Sequence, residues 1–194
     1  QAIRMSDQAP GFNRPQVSGD VTAAQESVIA AACPGAVVAP WPAQGEVSPS
    51  WGPLVSVSTG YATDPALRFE ASSGGAISAL AIQALESGLV DRVVHTQADP
   101  DRPTRNRTVV SRSAAEVFAA TGSRYISSSP LEVIERELAA GGSMAFIGKP
   151  CDLSALRRLA TVDPRVDRQV PVMLSFFCGG IPSHKGVEAI LAAL

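Results

Sequence analysis

The stretch SMAFIGKPCDLSALRRLA, residues 143–160, changes its period in the middle. Met144 to Ile147 form a short apolar run that reads as the end of a buried strand. Gly148, Lys149, Pro150 and Cys151 then make a turn. Leu153, Leu156 and Leu159, with Arg157 and Arg158 between them, suit a helix that buries one side. Pro150 fits the first helical turn, where a missing N–H costs nothing. Cys151 is therefore expected at a strand-to-helix switch, beside a helix N-terminus that favours negative charge. A cysteine placed there can serve as a nucleophile, a metal ligand or a flavin neighbour, or pack as a structural thiol.

Outward from that switch, strand and helix signals alternate. Leu54 to Gly60 reads as a strand. Ser72 to Gly75 leads into Ile77, Leu80, Ala81, Ala84 and Leu85, whose spacing predicts a helix that Gly88 closes. Val90 to His95 reads as another strand, followed by a polar arm over Ala98 to Arg107 with Thr108 to Ser111 returning. Ser113 to Glu116 and Ser129 to Glu132 are capping-box patterns on either side of a loop at Thr121 to Tyr125. A strand at 170–177 and a helix from Ser183 complete the series. Such alternation predicts an α/β fold, with a mostly parallel sheet flanked by helices.

The first fifty residues differ. Short extended pieces at Ala2–Met5 and Gly11–Val17 flank a Pro10-Gly11 turn. Thr22-Ala-Ala-Gln25 caps a helix that runs into Cys33, and a proline-rich linker spans Pro40 to Pro53. This leader is expected to pack on the α/β part of the chain rather than fold alone.

Composition narrows the function. The 194 residues carry a net charge of −2, which argues against a general nucleic-acid binder. No apolar run reaches the roughly 20 residues of a membrane span, and Gln1 to Pro10 lacks the basic-then-apolar order of a signal peptide. Three widely spaced cysteines do not make a disulfide framework; they suit a reducing cytoplasm. Among the 16 Lys and Arg, only Lys149 and Lys185 are lysine, and the first stands beside Cys151. His95 and His184 lack metal-ligand spacing and read as surface or core residues.

In parallel sheets, ligands bind where strand ends lead into helices. Four loops qualify: Ser72 to Ala76, Thr121 to Tyr125, Gly148 to Cys151, and Cys178 to Ile181. The first has small residues and free N–H groups at a helix start, a phosphate cradle or a plain cap. Tyr125 can stack on a planar ring or pack. Cys33-Pro34 has the habit of the last ligand in a ferredoxin-type cluster motif, although no CxxC is present.

The order of motifs GPLVSVSTGYATD (52–64), SSGGAISALAIQALESGLVD (72–91), ATGSRYISSSP (120–130), FIGKPCDLSALRRL (146–159) and LSFFCGG (174–180) resembles the beta-subunit family of coenzyme F420 hydrogenases and dehydrogenases, which are flavin and iron–sulfur oxidoreductases. The resemblance implies an FAD site lined by Ser73, Gly74, Gly75, Ala76, Gly122, Ser123 and Tyr125; at Lys149 the chain departs from several members, which have a small or apolar residue there. Tyr125 would contact the ring or its substrate; Lys149, beside Cys151, either joins the cofactor site and stabilises the negative charge of the reduced ring or is a solvated residue of the cap turn. It also implies 4Fe–4S ligation by Cys151 and Cys178, completed by a later CxxC pair, with Cys33 on a separate cluster. Residues 1–50 then resemble the tail of a ferredoxin-like iron–sulfur segment plus linker, and 51–194 the N-terminal part of an FAD-binding α/β domain. The chain looks truncated at both ends. Expected partners are ferredoxin or a hydrogenase or dehydrogenase subunit, with a deazaflavin coenzyme or a chlorophyll-type pigment as substrate. Two other classes stay open: a thiolate enzyme using Cys151, and a non-catalytic scaffold subunit without cofactors.

Overall fold

A computed structural model describes residues 2–35 and 46–194. In chain order the elements are β1 (Ile3–Gln8), β2 (Phe12–Val17), α1 (Ala23–Ala32), β3 (Glu46–Ser48), β4 (Gly52–Leu54), α2 (Pro65–Glu70) and α3 (Ala76–Glu86). Then come β5 (Arg92–Ala98), β6 (Asn106–Ser111), α4 (Ala114–Ala119), α5 (Ile134–Ala140), β7 (Met144–Gly148), α6 (Pro150–Leu159), α7 (Arg165–Gln169), β8 (Val172–Ser175) and α8 (His184–Ala192). Single turns of 3-10 helix, Ser73–Gly75 and Pro130–Val133, precede α3 and α5.

The central sheet has the order β6-β5-β7-β8. β7 lies parallel to both β5 and β8, and β6 runs antiparallel along the outer side of β5. Both faces are covered, which is why the strands read as apolar runs rather than as alternation. On one face Val94, Met144 and Phe146 pack with Ile134 and Leu138 of α5, Leu156 of α6 and Val166 of α7. On the other, Val93 and Ala145 pack with Ala81 and Ala84 of α3 and Val117 of α4. Successive strand residues point to opposite faces, so one strand serves both layers.

A charge pair crosses this core. Arg92, at the start of β5, is only 3 % exposed. Its Nε donates to Glu137 Oε2 at 3.0 Å, and its Nη2 donates to the carbonyls of Glu137 and Gly141 at 2.8 and 2.7 Å. The pair ties β5 to the end of α5.

The leader is bound to the rest of the chain, as its composition suggests. β1 and β2 form an antiparallel hairpin. The Gly11 carbonyl accepts from the N–H of His184 at 2.7 Å, and the Asn13 N–H donates to Ser127 Oγ at 3.3 Å. Asp7 accepts from Arg105 Nε at 3.1 Å and lies against Nδ1 of the buried His184. Arg105 also donates to Glu188 of α8 at 2.7 Å. α1 carries the capping box read from the sequence, with Thr22 and Gln25 bonded in both directions.

Other expectations need correction. Leu54 to Gly60 is not a strand: only Gly52–Leu54 pairs, in a small hairpin with β3. Val55 and Val57 are each 84 % exposed, because the apolar alternation there meets no partner strand. The strand expected at 170–177 ends at Ser175, and Phe177 turns out to solvent with its ring edge-on to Trp51 at 5.8 Å. Ser129 makes no side-chain cap, and a 3-10 turn starts at Pro130 instead. The proline-rich linker at 40–53 falls partly outside the described residues; its described part is the β3–β4 hairpin.

Removing one partner of a buried pair leaves the other charge stranded. Glu137→Ala is expected to destabilise the fold by about 3 kcal/mol. Denaturant unfolding checks this, and Leu138→Ala, a core deletion, serves as the scale.

Candidate functional site

The two parallel pairings carry the strand ends to one edge. Gly148 is paired with Ser175, so the turns after β7 and β8 leave the sheet side by side. There a cleft of about 500 Å³ opens, within the usual size range of ligand pockets. All four loops expected to border a ligand reach it: Ser72, Ser73 and Ala76; Thr121 to Tyr125; Gly148 and Lys149; and Cys178 to Ile181. His95 and Thr96 of β5 and Asn106 of β6 complete its wall.

One side is the start of α3. Ser73, Gly74 and Gly75 have φ of 51°, 66° and 74°, a left-handed turn that delivers the chain into the helix. No side chain caps that helix. Ala76, Ile77 and Ser78 line the cleft, and their first-turn N–H groups have no partner within the helix. Such a terminus attracts anions. Ser72 Oγ accepts from the Ser123 N–H at 3.0 Å, which joins this turn to the 121–125 loop.

Gly74 and Gly75 do not line the cleft; they stand behind its wall. A Cβ on Gly75 would come within 3.2 Å of both the Ala62 methyl and the Leu67 carbonyl, and one on Gly74 within 3.0 Å of Tyr61 Cβ. Their part is to let the turn form against residues 60–67. A side chain at Gly75 would therefore disturb the wall itself rather than crowd a ligand.

Lys149 is not a solvated turn residue. It is 8 % exposed, and its Nζ donates to Ser128 Oγ at 2.9 Å, to the Ser128 carbonyl at 3.2 Å and to Asp152 Oδ2 at 2.7 Å. The same carboxylate oxygen accepts from the Lys149 N–H at 2.9 Å, securing the turn before α6. Arg124 is fixed at the mouth by bonds to Asn106 Oδ1 and the Pro103 carbonyl, at 3.0 and 2.6 Å. Tyr125 stands at the rim, 78 % exposed. The lining contains Lys149 and Arg124 but no Asp or Glu, so the cleft presents donors and positive charge.

Sequence reasoning missed His95 and Ser111. His95 is 5 % exposed, and its Nε2 meets Ser111 Oγ at 2.7 Å. Burial pushes its pKa down to about 4, so the ring is neutral at pH 7. A histidine inside an apolar strand was the available signal, but strand pattern cannot tell a packed ring from one that borders a cleft.

The cysteines divide. Cys151 and Cys178 each lie three residues beyond the Gly148–Ser175 pair, on the same edge. Cys178 lines the cleft and Cys151 does not. Cys33 ends α1 beside an apolar groove formed with Ala155, Leu156 and Leu159 of α6. All three are exposed free thiols. Among the described residues no group of three or more His, Cys, Asp or Glu is placed to hold a metal. These residues do not themselves make up a cluster's donor set.

Comparison with known proteins decides kinship. The profile for the N-terminal part of the coenzyme F420 hydrogenase/dehydrogenase beta subunit matches residues 57–135, and that for its C terminus matches 141–194. The chain belongs to this family. A coenzyme F420 hydrogenase subunit beta from Methanococcus voltae is 31% identical over 135 residues, 67% of this chain and 47% of the relative. The chloroplastic 7-hydroxymethyl chlorophyll a reductase of Oryza sativa subsp. japonica is 29% identical over 120 residues, 61% of this chain and 25% of the relative. A solved F420-reducing [NiFe] hydrogenase complex from Methanosarcina barkeri contains a chain that superposes with a TM-score of 0.62 at 26% identity, over 68% of this chain and 46% of that one. The chain thus spans about half the length of the curated F420 hydrogenase beta subunits it matches.

The neutral His95 ties stability to pH. Above its ordinary value of 6.5 the ring is uncharged in both folded and unfolded chains. As pH falls below that, the unfolded chain takes up a proton that the folded one refuses until about pH 4. Stability is lost over that window, by about 3 kcal/mol in all. His95→Phe should flatten this part of the profile in urea unfolding between pH 7 and 4.5; an unchanged slope would mean that the ring is already charged when folded.

Proposed function

We propose that this chain is the flavin-binding redox module of a beta subunit in its family, binding FAD in the cleft at the sheet edge. The observation that carries this reading is the uncapped N-terminus of α3, opening into a cleft lined by Lys149 and Arg124 and by no acid. An FAD pyrophosphate fits that chemistry: first-turn N–H groups and a helix dipole accept the negative charge, and Ser73 and Ser72 add hydroxyls. The flavin ring then belongs toward Gly122, Ser123, Tyr125 and Lys149.

Bound FAD supplies hydride exchange with an organic carrier and passage of single electrons. The chain's own residues bind and orient. Lys149, held by Ser128 and ion-paired with Asp152, places an ammonium partly neutralised by that carboxylate at the cleft wall, where the remaining charge favours the ring in its more negative state. Tyr125 and Phe176 offer apolar faces at the opening, suited to a flat acceptor such as a deazaflavin coenzyme or a chlorophyll-type pigment.

Cys151 and Cys178, on one edge, are the residues placed to contribute to a cluster, with Cys33 serving a separate one; donors beyond the described residues would have to complete each set. Residues 1–50 act as a ferredoxin-like remnant with its linker, whose β1–β2 hairpin packs on the FAD-binding part at 51–194. A ferredoxin or another subunit of a hydrogenase or dehydrogenase, in the cytoplasm, is the redox partner this reading calls for.

Ala76→Asp separates binding from folding. A carboxylate in the first turn favours the helix by about 0.5 kcal/mol, yet it repels a phosphate. The variant is expected to melt no lower than the parent and to lose flavin absorbance on gel filtration after FAD loading. Full retention in the folded variant would place the pyrophosphate elsewhere.

A further inference from the structure

His95, which lines the cleft, and Ser111 behind it form a buried polar pair. Val93 is the register partner of Ser111, and strand alternation sets His95 on the same face as Val93. That face carries α3, whose N-terminus borders the cleft. Both residues are buried, at 5 % and 4 % exposed, and joined at 2.7 Å. No carboxylate lines the cleft beside them, the three N–H groups of Lys149 are engaged by Ser128 and Asp152, and Arg124 is engaged by Asn106 and Pro103. Among the described residues Nδ1 of His95 has no hydrogen-bond partner, and it is not one of the fully buried orphan atoms. That nitrogen is the hydrogen-bonding atom the pair can offer a ligand.

The pair has two proton arrangements, and both are uncharged. With Ser111 donating to Nε2, Nδ1 carries the proton and donates into the cleft. With Nε2–H donating to Ser111 Oγ, Nδ1 is an acceptor toward the cleft. Burial keeps the ring neutral down to about pH 4, so these are its two states at working pH. We infer that the His95–Ser111 pair is a neutral hydrogen-bond reader for the edge of a planar nitrogen heterocycle, able to meet either an acceptor or a donor ring nitrogen. This rests on the proposal that the cleft binds FAD. The flavin ring nitrogen that takes up a hydride is an acceptor when oxidised and an N–H donor when reduced, so one side-chain pair can serve both states without burying a charge.

The test uses the whole chain labelled with 15N-histidine. Only two histidines are present, so the ring nitrogens of His95 and His184 can be told apart with one variant. FAD, oxidised and then reduced anaerobically with dithionite, is the probe. Oxidised FAD is expected to hold His95 in the tautomer protonated at Nδ1, and reduction to shift it toward the other, with His184 unmoved. The double variant His95→Phe with Ser111→Ala leaves no orphaned hydroxyl and is expected to bind FAD about tenfold more weakly. It should also change the ratio of affinities for oxidised and reduced FAD, which a packing role would not do. FAD retained while the His95 signals stay fixed would overturn this inference alone. Failure of the parent chain to retain FAD would overturn the flavin reading and this inference with it.

Discussion

Parallel pairing of β7 with both of its neighbours is the constraint on which the rest depends. Met144, Ala145 and Phe146 are fully buried, and the strand bonds β5 on one side and β8 on the other. A parallel strand can return only through a crossover, so helices must join β7 to each of its neighbours. Those helices cover both faces. The loops that lead to α5, α6 and α8 fall on the edge where the parallel strands end, and there the cleft forms. The geometry of the site is therefore a consequence of strand direction more than of any single loop sequence.

Within that frame the charges are placed with economy. Arg92 and Glu137 pair at the opposite end of β5 from the cleft, where they join strand to helix. Lys149 is kept at the cleft end by a carboxylate and a serine of the chain itself. Asp152 neutralises part of that charge and anchors the turn, leaving the α3 N-terminus and Arg124 to make the mouth attractive to anions. The leader hairpin is bound through Asp7, Gly11 and Asn13 to residues on the arm, α8 and the loop before α5. It adds to the body of the structure while α1 lies along α6.

Much of this is legible in the sequence where period and chemistry agree. The α3 spacing, the turn from β7 to α6 and the Thr22 capping box each point to the element found. The four loops named from the sequence meet in one cleft, two of them directly at the ends of β7 and β8. What fails is whatever depends on a partner. LVSVSTG at 54–60 alternates like a strand but has no neighbour to pair with. Glu116 turns its carboxylate to the N–H of Arg112, so the pattern at Ser113 is half a box. Gly74 and Gly75 look like ligand contacts in the sequence and serve the wall behind the cleft. His95 escapes a linear reading because its importance lies in a neighbour on another strand and in burial, neither of which a sequence pattern records.

The central claim is that the start of α3 receives a negatively charged dinucleotide. The direct measurement is an FAD titration followed by amide 1H–15N spectra of the intact chain, with amide exchange recorded at each end point. The claim predicts that the amides of Ala76, Ile77 and Ser78 shift most and become protected from exchange, with smaller shifts at Ser123 and Lys149. Saturating FAD that leaves those three amides unshifted and exchanging as before would contradict it.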